Sequence, residues 1–131
     1  MSKPADLSRT LRALAEETRL RMLHLLLHEG ELCVCDMEAI LGVTQSKASR
    51  HLNYLRQARI VQDRRDGTWV YYRLSREAPA AVIALVRSLR AELAEDPVAL
   101  DDLARAEARR RDPACVSMQP VAGGRRRGAG A

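Results

Sequence analysis

Apolar positions near the start of the chain fall into a helical rhythm. Leu7, Leu11 and Leu14 recur three or four residues apart, with polar Arg9, Arg12 and Glu16 interspersed, which predicts a first amphipathic helix. Leu20, Leu23, Leu26 and Leu27 continue the rhythm in a second helix from about Glu17 to His28, stopped by Gly30. Met37, Ile40 and Leu41 predict a short third helix opening near Asp36 as N-cap and ending at Gly42. Thr44 then caps a fourth, with Ala48, Leu52 and Leu55 facing inward. The period changes to two over Ile60–Arg64 and Trp69–Leu74, and Asp66-Gly67 between them signals a hairpin, because a tight turn needs residues that accept positive φ. Beyond Pro79 the helical stripe returns as Val82, Leu85, Val86, Leu89 and Leu93. Pro97 interrupts it, and an Ala/Arg-rich helix is expected from about Val98 to Arg110.

The expected architecture is mainly α with a small β-hairpin. Residues 1–96 form the main domain, 97–112 a helical extension and 113–131 a flexible basic tail. Two short helices joined by Gly42-Val43-Thr44 and followed by a hairpin make a winged helix-turn-helix. On the fourth helix Ser46, Ser49, Arg50 and Asn53 share one polar face, and Gln45 and Lys47 stand in its first turn. Such a face suits the major groove, and Arg64 and Arg65 beside the hairpin tip suit the neighbouring backbone. His51 is either a phosphate contact or packed structure.

Charge strengthens this picture. The chain of 131 residues carries +5 overall, yet Val43 to Arg76 alone holds eight basic residues against Asp63 and Asp66. A cationic segment of this kind favours a phosphate partner. With no Phe and a single Trp, the core must come from aliphatic side chains, as packed helices allow. No apolar run approaches the ~20 residues that span a bilayer, and a soluble cytoplasmic protein is expected. Three cysteines without an export signal do not suggest a disulfide framework; metal binding, redox sensing or burial are the alternatives.

Three stretches together, Glu31-Leu-Cys-Val-Cys-Asp36, Gln45-Ser-Lys-Ala-Ser-Arg-His-Leu52 and Asp66-Gly-Thr-Trp-Val-Tyr-Tyr-Arg-Leu74, resemble the ArsR family of bacterial metal-sensing repressors. The arsenite- and antimonite-responsive branch is the nearer likeness, over about residues 7 to 93. The resemblance implies a homodimer on an inverted-repeat operator of double-stranded DNA, joined through the first and last core helices. Leu7, Leu11, Leu14, Val82, Leu85, Val86, Leu89 and Leu93 are the expected interface.

The resemblance also implies As(III) or Sb(III) as inducer, and these are soft centres for which thiolates are the natural ligands. Cys33 and Cys35 project together from an extended segment, whereas in a regular helix they lie ~200° apart, so binding requires this stretch to be unwound or to become so. The third ligand is open. Arsenite-responsive relatives often carry a cysteine three residues after the second; here that position is Glu38, a hard donor. Cys115 serves if the tail folds back onto the third helix; otherwise it is an inert thiol. His24 and His28, at i and i+4, suit surface or dimer contacts better than zinc. Trp69 and Tyr71 are expected to pack, and Arg125–Arg127 to add only a solvated tail.

Other functions make distinct demands. A thiol-based reductase or phosphatase needs an arginine six residues after its cysteine, and those positions are Ala39, Leu41 and Val121. No nucleotide loop or catalytic constellation is present, so no enzyme is expected. Cd, Pb or oxidation acting on the same cysteines remains the alternative stimulus, and sequence-independent coating of DNA the alternative binding mode.

Overall fold

The computed structural model describes residues 2–118. Its elements are α1 (Lys3–Leu14), α2 (Glu17–Glu29), β1 (Glu31–Cys33), α3 (Val34–Leu41), α4 (Gln45–Gln57), β2 (Val61–Asp66), β3 (Trp69–Leu74), α5 (Ala80–Leu93), α6 (Pro97–Arg111) and a 3-10 turn, Val116–Met118. α2 is the central helix: Met22, Leu23, Leu25 and Leu26 are fully buried, packed with Met37 and Ile40 of α3 and Leu52 and Leu55 of α4. Burying each such side chain contributes roughly 1.5–3 kcal/mol, enough together to order short helices that would not stand alone.

Local chemistry sets the boundaries. Gly42 closes α3 at φ +68, a conformation that side chains with a Cβ disfavour, and the chain turns there into Thr44, whose hydroxyl accepts from the Lys47 amide at 3.1 Å and starts α4. α4 ends without a glycine. Arg59 adopts φ +63, the Arg59 amide donates to the Arg56 carbonyl, and the Ile60 amide donates to the Leu55 carbonyl. These two bonds are a Schellman closure with arginine in the left-handed position.

The sheet is larger than the expected hairpin. β1 is a third strand, and the order is β1-β3-β2, all antiparallel, with Cys33 opposite Tyr71 and Leu32 opposite Tyr72. The hairpin turn is Gly67-Thr68, one residue later than expected, because Asp66 still pairs with Trp69. Gly67 at the first turn position, φ +64, suits the twist of the two strands.

Two further expectations change. Leu14, Val82 and Val86 point into the chain's own core, so of the eight residues expected at a dimer contact only Leu7, Leu11, Leu85, Leu89 and Leu93 keep exposed surface. Residues 113–118, expected as flexible tail, are folded: Cys115, Ser117 and Met118 are buried. The expected Arg125–Arg127 cluster lies outside the described residues. α6 clasps α2 and α3 through polar contacts. Arg21 grips Asp102 with two bonds of 2.9 and 2.8 Å, and Arg105 Nε donates to the Ile40 carbonyl at 2.7 Å.

Candidate functional site

The cysteine pair lies at the junction of β1 and α3. Cys33 ends the strand in extended conformation (φ −85, ψ 167), and Cys35 stands in the first turn of the helix. The pair therefore straddles two backbone types, and the ~200° separation of a regular helix does not apply. Their Cα atoms are 5.4 Å apart and the two residues form a disulfide, contrary to the expectation of reduced thiols. The spacing lies inside the range a disulfide requires.

Asp36 is not the N-cap of α3; Cys33 is. The Asp36 amide donates to Cys33 Sγ at 3.4 Å, and the Cys33 amide donates to Asp36 Oδ2 at 2.8 Å, a reciprocal capping box with sulfur in the place of the usual hydroxyl. Asp36 is 1% exposed, and its other oxygen accepts from Arg109 Nε and Nη2 at 3.2 Å and from Ser117 Oγ at 2.6 Å. One carboxylate thus ties together the start of α3, the end of α6 and the C-terminal turn. The Tyr71 hydroxyl of β3 donates to the Ser117 carbonyl at 3.1 Å and completes the knot.

As donors, Cys33, Cys35 and Asp36 bring one ligand atom each to within 4.8 Å of one another. Two sulfurs fit a thiophilic centre; the carboxylate is a hard donor already held by three residues. The C-terminal segment does fold back toward α3, but Cys115 Sγ faces Ser117 Oγ at 3.5 Å and stays outside that donor group. A cavity of about 290 Å³ opens beside the pair, between α3, the first residue of α4 and β3. Val34, Trp69 and Val70 form its apolar wall, and Glu38 lies along it.

On α4, Gln45, Ser46, Lys47 and Arg50 are exposed and Ser49 partly so, with Gln45 Nε2 donating to Ser49 Oγ at 3.0 Å. Three of the other residues expected at the DNA are engaged elsewhere. His51 turns toward α2: its Nδ1 lies 3.2 Å from Arg19 Nη1 and 3.8 Å from Glu16. Burial lowers the His51 pKa; Glu16 works against that shift, and nearby Arg19, Lys47 and Arg50 add to it. Arg19 itself stacks on Tyr54, 4.3 Å from the ring centre. Asn53 accepts from Arg56, which also faces Asp63. Arg64 lies on the β1 side of the sheet, gripping the buried Glu31 carboxylate through Nε and Nη2 and covering the Tyr71 ring at 4.7 Å. Arg65, pointing the other way along the strand, is exposed.

Sequence reasoning missed Glu31, Arg109, Ser117 and Asp36's central role. Only the acidic residue three positions after Cys33 hinted at a box, and sulfur is an unusual cap.

The chain resembles known proteins in both sequence and structure. The family described as bacterial regulatory protein, arsR family, matches residues 16–63. The arsenic resistance transcriptional regulator ArsR1 of Pseudomonas putida is 50% identical over 78 residues, 60% of this chain and 61% of that protein. ArsR2 of the same organism is 45% identical over 63% of this chain and 69% of its own length. The cadmium regulatory protein CadC homolog of Staphylococcus aureus is 39% identical over 56% and 61%. For ArsR1 the shared stretch is thus under two thirds of the relative's length. Among solved structures, HlyU from Vibrio cholerae superposes with a TM-score of 0.63 at 33% identity, covering 72% of this chain and all of that one. The AntR antimony-specific repressor gives 0.60 at 29%, covering 71% and 81%. The homodimeric winged helix-turn-helix domain of Mb0332 from Mycobacterium bovis gives 0.59 at 30%, covering 72% and 89%. The winged helix-turn-helix and these likenesses together show that the chain belongs to the arsR family of bacterial regulatory proteins.

Proposed function

We propose that this protein is a transcriptional repressor that binds operator DNA as a homodimer and releases it when As(III) or Sb(III) binds the reduced thiolates of Cys33 and Cys35. Its work is binding, without turnover, in the cytoplasm. The main domain is the winged helix-turn-helix of residues 1–96, extended by residues 97–112. Lys47, Arg50, Ser46, Ser49 and Gln45 face the DNA from α4, with Arg65 on the wing. Exposed Leu11 of α1 and Leu85 of α5, with half-buried Leu7, Leu89 and Leu93 beside them, meet their counterparts across the dimer axis, matching the two half-sites of an inverted repeat.

One observation carries this reading: Cys33 is both a sulfur of the pair and the N-cap of α3. A Cys33 thiolate committed to the inducer no longer accepts from the Asp36 amide in the same geometry. The start of α3 must shift, and α3 leads through Gly42 directly into α4. Cys33 also pairs with Tyr71 in β3, so the wing is joined to the same junction. Cys115, hydrogen-bonded to Ser117, supports the Asp36 knot and is not the third ligand in this reading. The coupling is reciprocal: operator DNA weakens inducer binding by the same factor.

The test is anisotropy of labelled DNA from upstream of the gene, titrated with arsenite under a phosphine reductant. Arsenite should weaken binding about tenfold or more in wild type and Cys115→Ser, and not in Cys35→Ser. Release from Cys35→Ser would refute the mechanism; loss of the response in Cys115→Ser would return that thiol to the ligand set.

A further inference from the structure

Resting on the repressor reading above, the structure assigns a ligand class to the cysteine pair: we infer that it takes monosubstituted trivalent arsenicals, R–As(OH)₂, in preference to inorganic arsenite. A trivalent arsenic centre makes three bonds. The donor group offers two sulfurs and a carboxylate already bound by Cys33, Arg109 and Ser117, while Cys115 lies outside it. Where a third thiol was expected stands Glu38, a hard donor. The third bond of a captured arsenic therefore points to no third sulfur, and a carbon substituent satisfies it without one.

Space for that substituent adjoins the pair. The cavity of about 290 Å³ is lined on its apolar side by Val34, Trp69 and Val70 and on its polar side by Glu38, Gln45 and Thr68. A void of about 150 Å³ with apolar walls is enough to hold benzene, so an aryl or small alkyl group fits. Arsenite, with only hydroxyl groups to offer, leaves this apolar wall unused.

The binding step involves no redox change at arsenic. The pair is first reduced to two thiols: two thiol equivalents give the two electrons and two protons and leave as their own disulfide, or a phosphine gives the two electrons while water supplies both protons and the oxygen of the phosphine oxide. These thiols then displace both hydroxyls of R–As(OH)₂: two As–O bonds break, two As–S bonds form, and the thiol protons leave in two waters. The R group, wedged between Gln45 of α4 and Trp69 of β3, pushes on both DNA-contacting elements at once.

Trp69 is the single tryptophan, so its emission reports on the cavity itself. The full-length protein, reduced with a phosphine, is titrated with phenylarsonous acid and separately with arsenite. Trp69 fluorescence and DNA anisotropy are both followed. Phenylarsonous acid should half-release DNA at about tenfold lower concentration or less, and change Trp69 emission more than arsenite does. Val70→Phe and Val34→Phe fill the cavity while keeping both cysteines; each, checked for helix content by circular dichroism, should collapse the preference. Arsenite acting at equal or lower concentration on wild type overturns the inference and leaves the repressor standing. A preference undiminished in both filled variants also overturns it, since the selectivity would then belong to the arsenical alone. If neither compound loosens DNA from wild type, the repressor reading fails, and this inference with it.

Discussion

Two helices begin within a dozen residues of each other, and their first turns are built in opposite ways. The start of α3 is buried and interlocked: the Cys33 sulfur caps it, and Asp36 binds α6 and the C-terminal turn in the same stroke. The start of α4 is open: Thr44 caps it alone, and Gln45, Ser46 and Lys47 are exposed. The difference separates two tasks. Under the function proposed above, the first turn that reads DNA keeps its side chains free, whereas the one that answers a ligand is wired to its surroundings, so that a change there cannot remain local.

The comparison can be broken most directly at Asp36. Asp36→Ala removes the carboxylate that accepts from the Cys33 amide and leaves Arg109 facing no carboxylate there; urea unfolding should show a loss of about 3 kcal/mol, since removing one partner of a buried ion pair is severe. Thr44→Ala should cost only about 1 kcal/mol, the ordinary value of an N-cap, while lowering DNA affinity through a frayed first turn. Equal losses at the two sites would erase the distinction. The smallest effect is one of pH. Burial depresses His24, His28 and His51 below the ordinary value of 6.5. Between those lowered values and 6.5 the unfolded chain binds protons that the folded chain does not, so stability is full above about pH 6.5 and falls as the pH drops through the folded values. His51→Gln should flatten part of that fall in urea midpoints compared at about pH 7.5 and 5.5; an unchanged slope would remove His51 from the contact between α4 and α2.

What could be read along the chain was whatever is decided locally. Thr44, Gly42 and the spacing of Ala48, Leu52 and Leu55 define α4 within one stretch, and the structure has it there. β1 was invisible because three residues make no period, and its partner β3 lies far along the chain. Arg59 ends α4 in a conformation that glycine would have announced. Arg64 looked like a free cation because its partner, Glu31, stands on another strand. The candidate site divides the same way. Cys33 and Cys35 were evident as neighbours, but that one of them caps a helix, and that Asp36 joins it to Arg109 and Ser117, depends on contacts over seventy residues apart in sequence.

The pairing of Cys33 with Tyr71 gives the wing mechanical leverage. From Tyr71 to the hairpin tip at Thr68 the strand extends about 10 Å at ~3.3 Å per residue. A rotation of about 10° at the cysteine strand therefore swings the tip through roughly 2 Å, more than the ~0.5 Å span over which a hydrogen bond to a phosphate oxygen keeps its normal length. A disturbance too small to unfold anything at the fulcrum is enough, at the end of that arm, to lift the wing off the phosphate contact proposed for it.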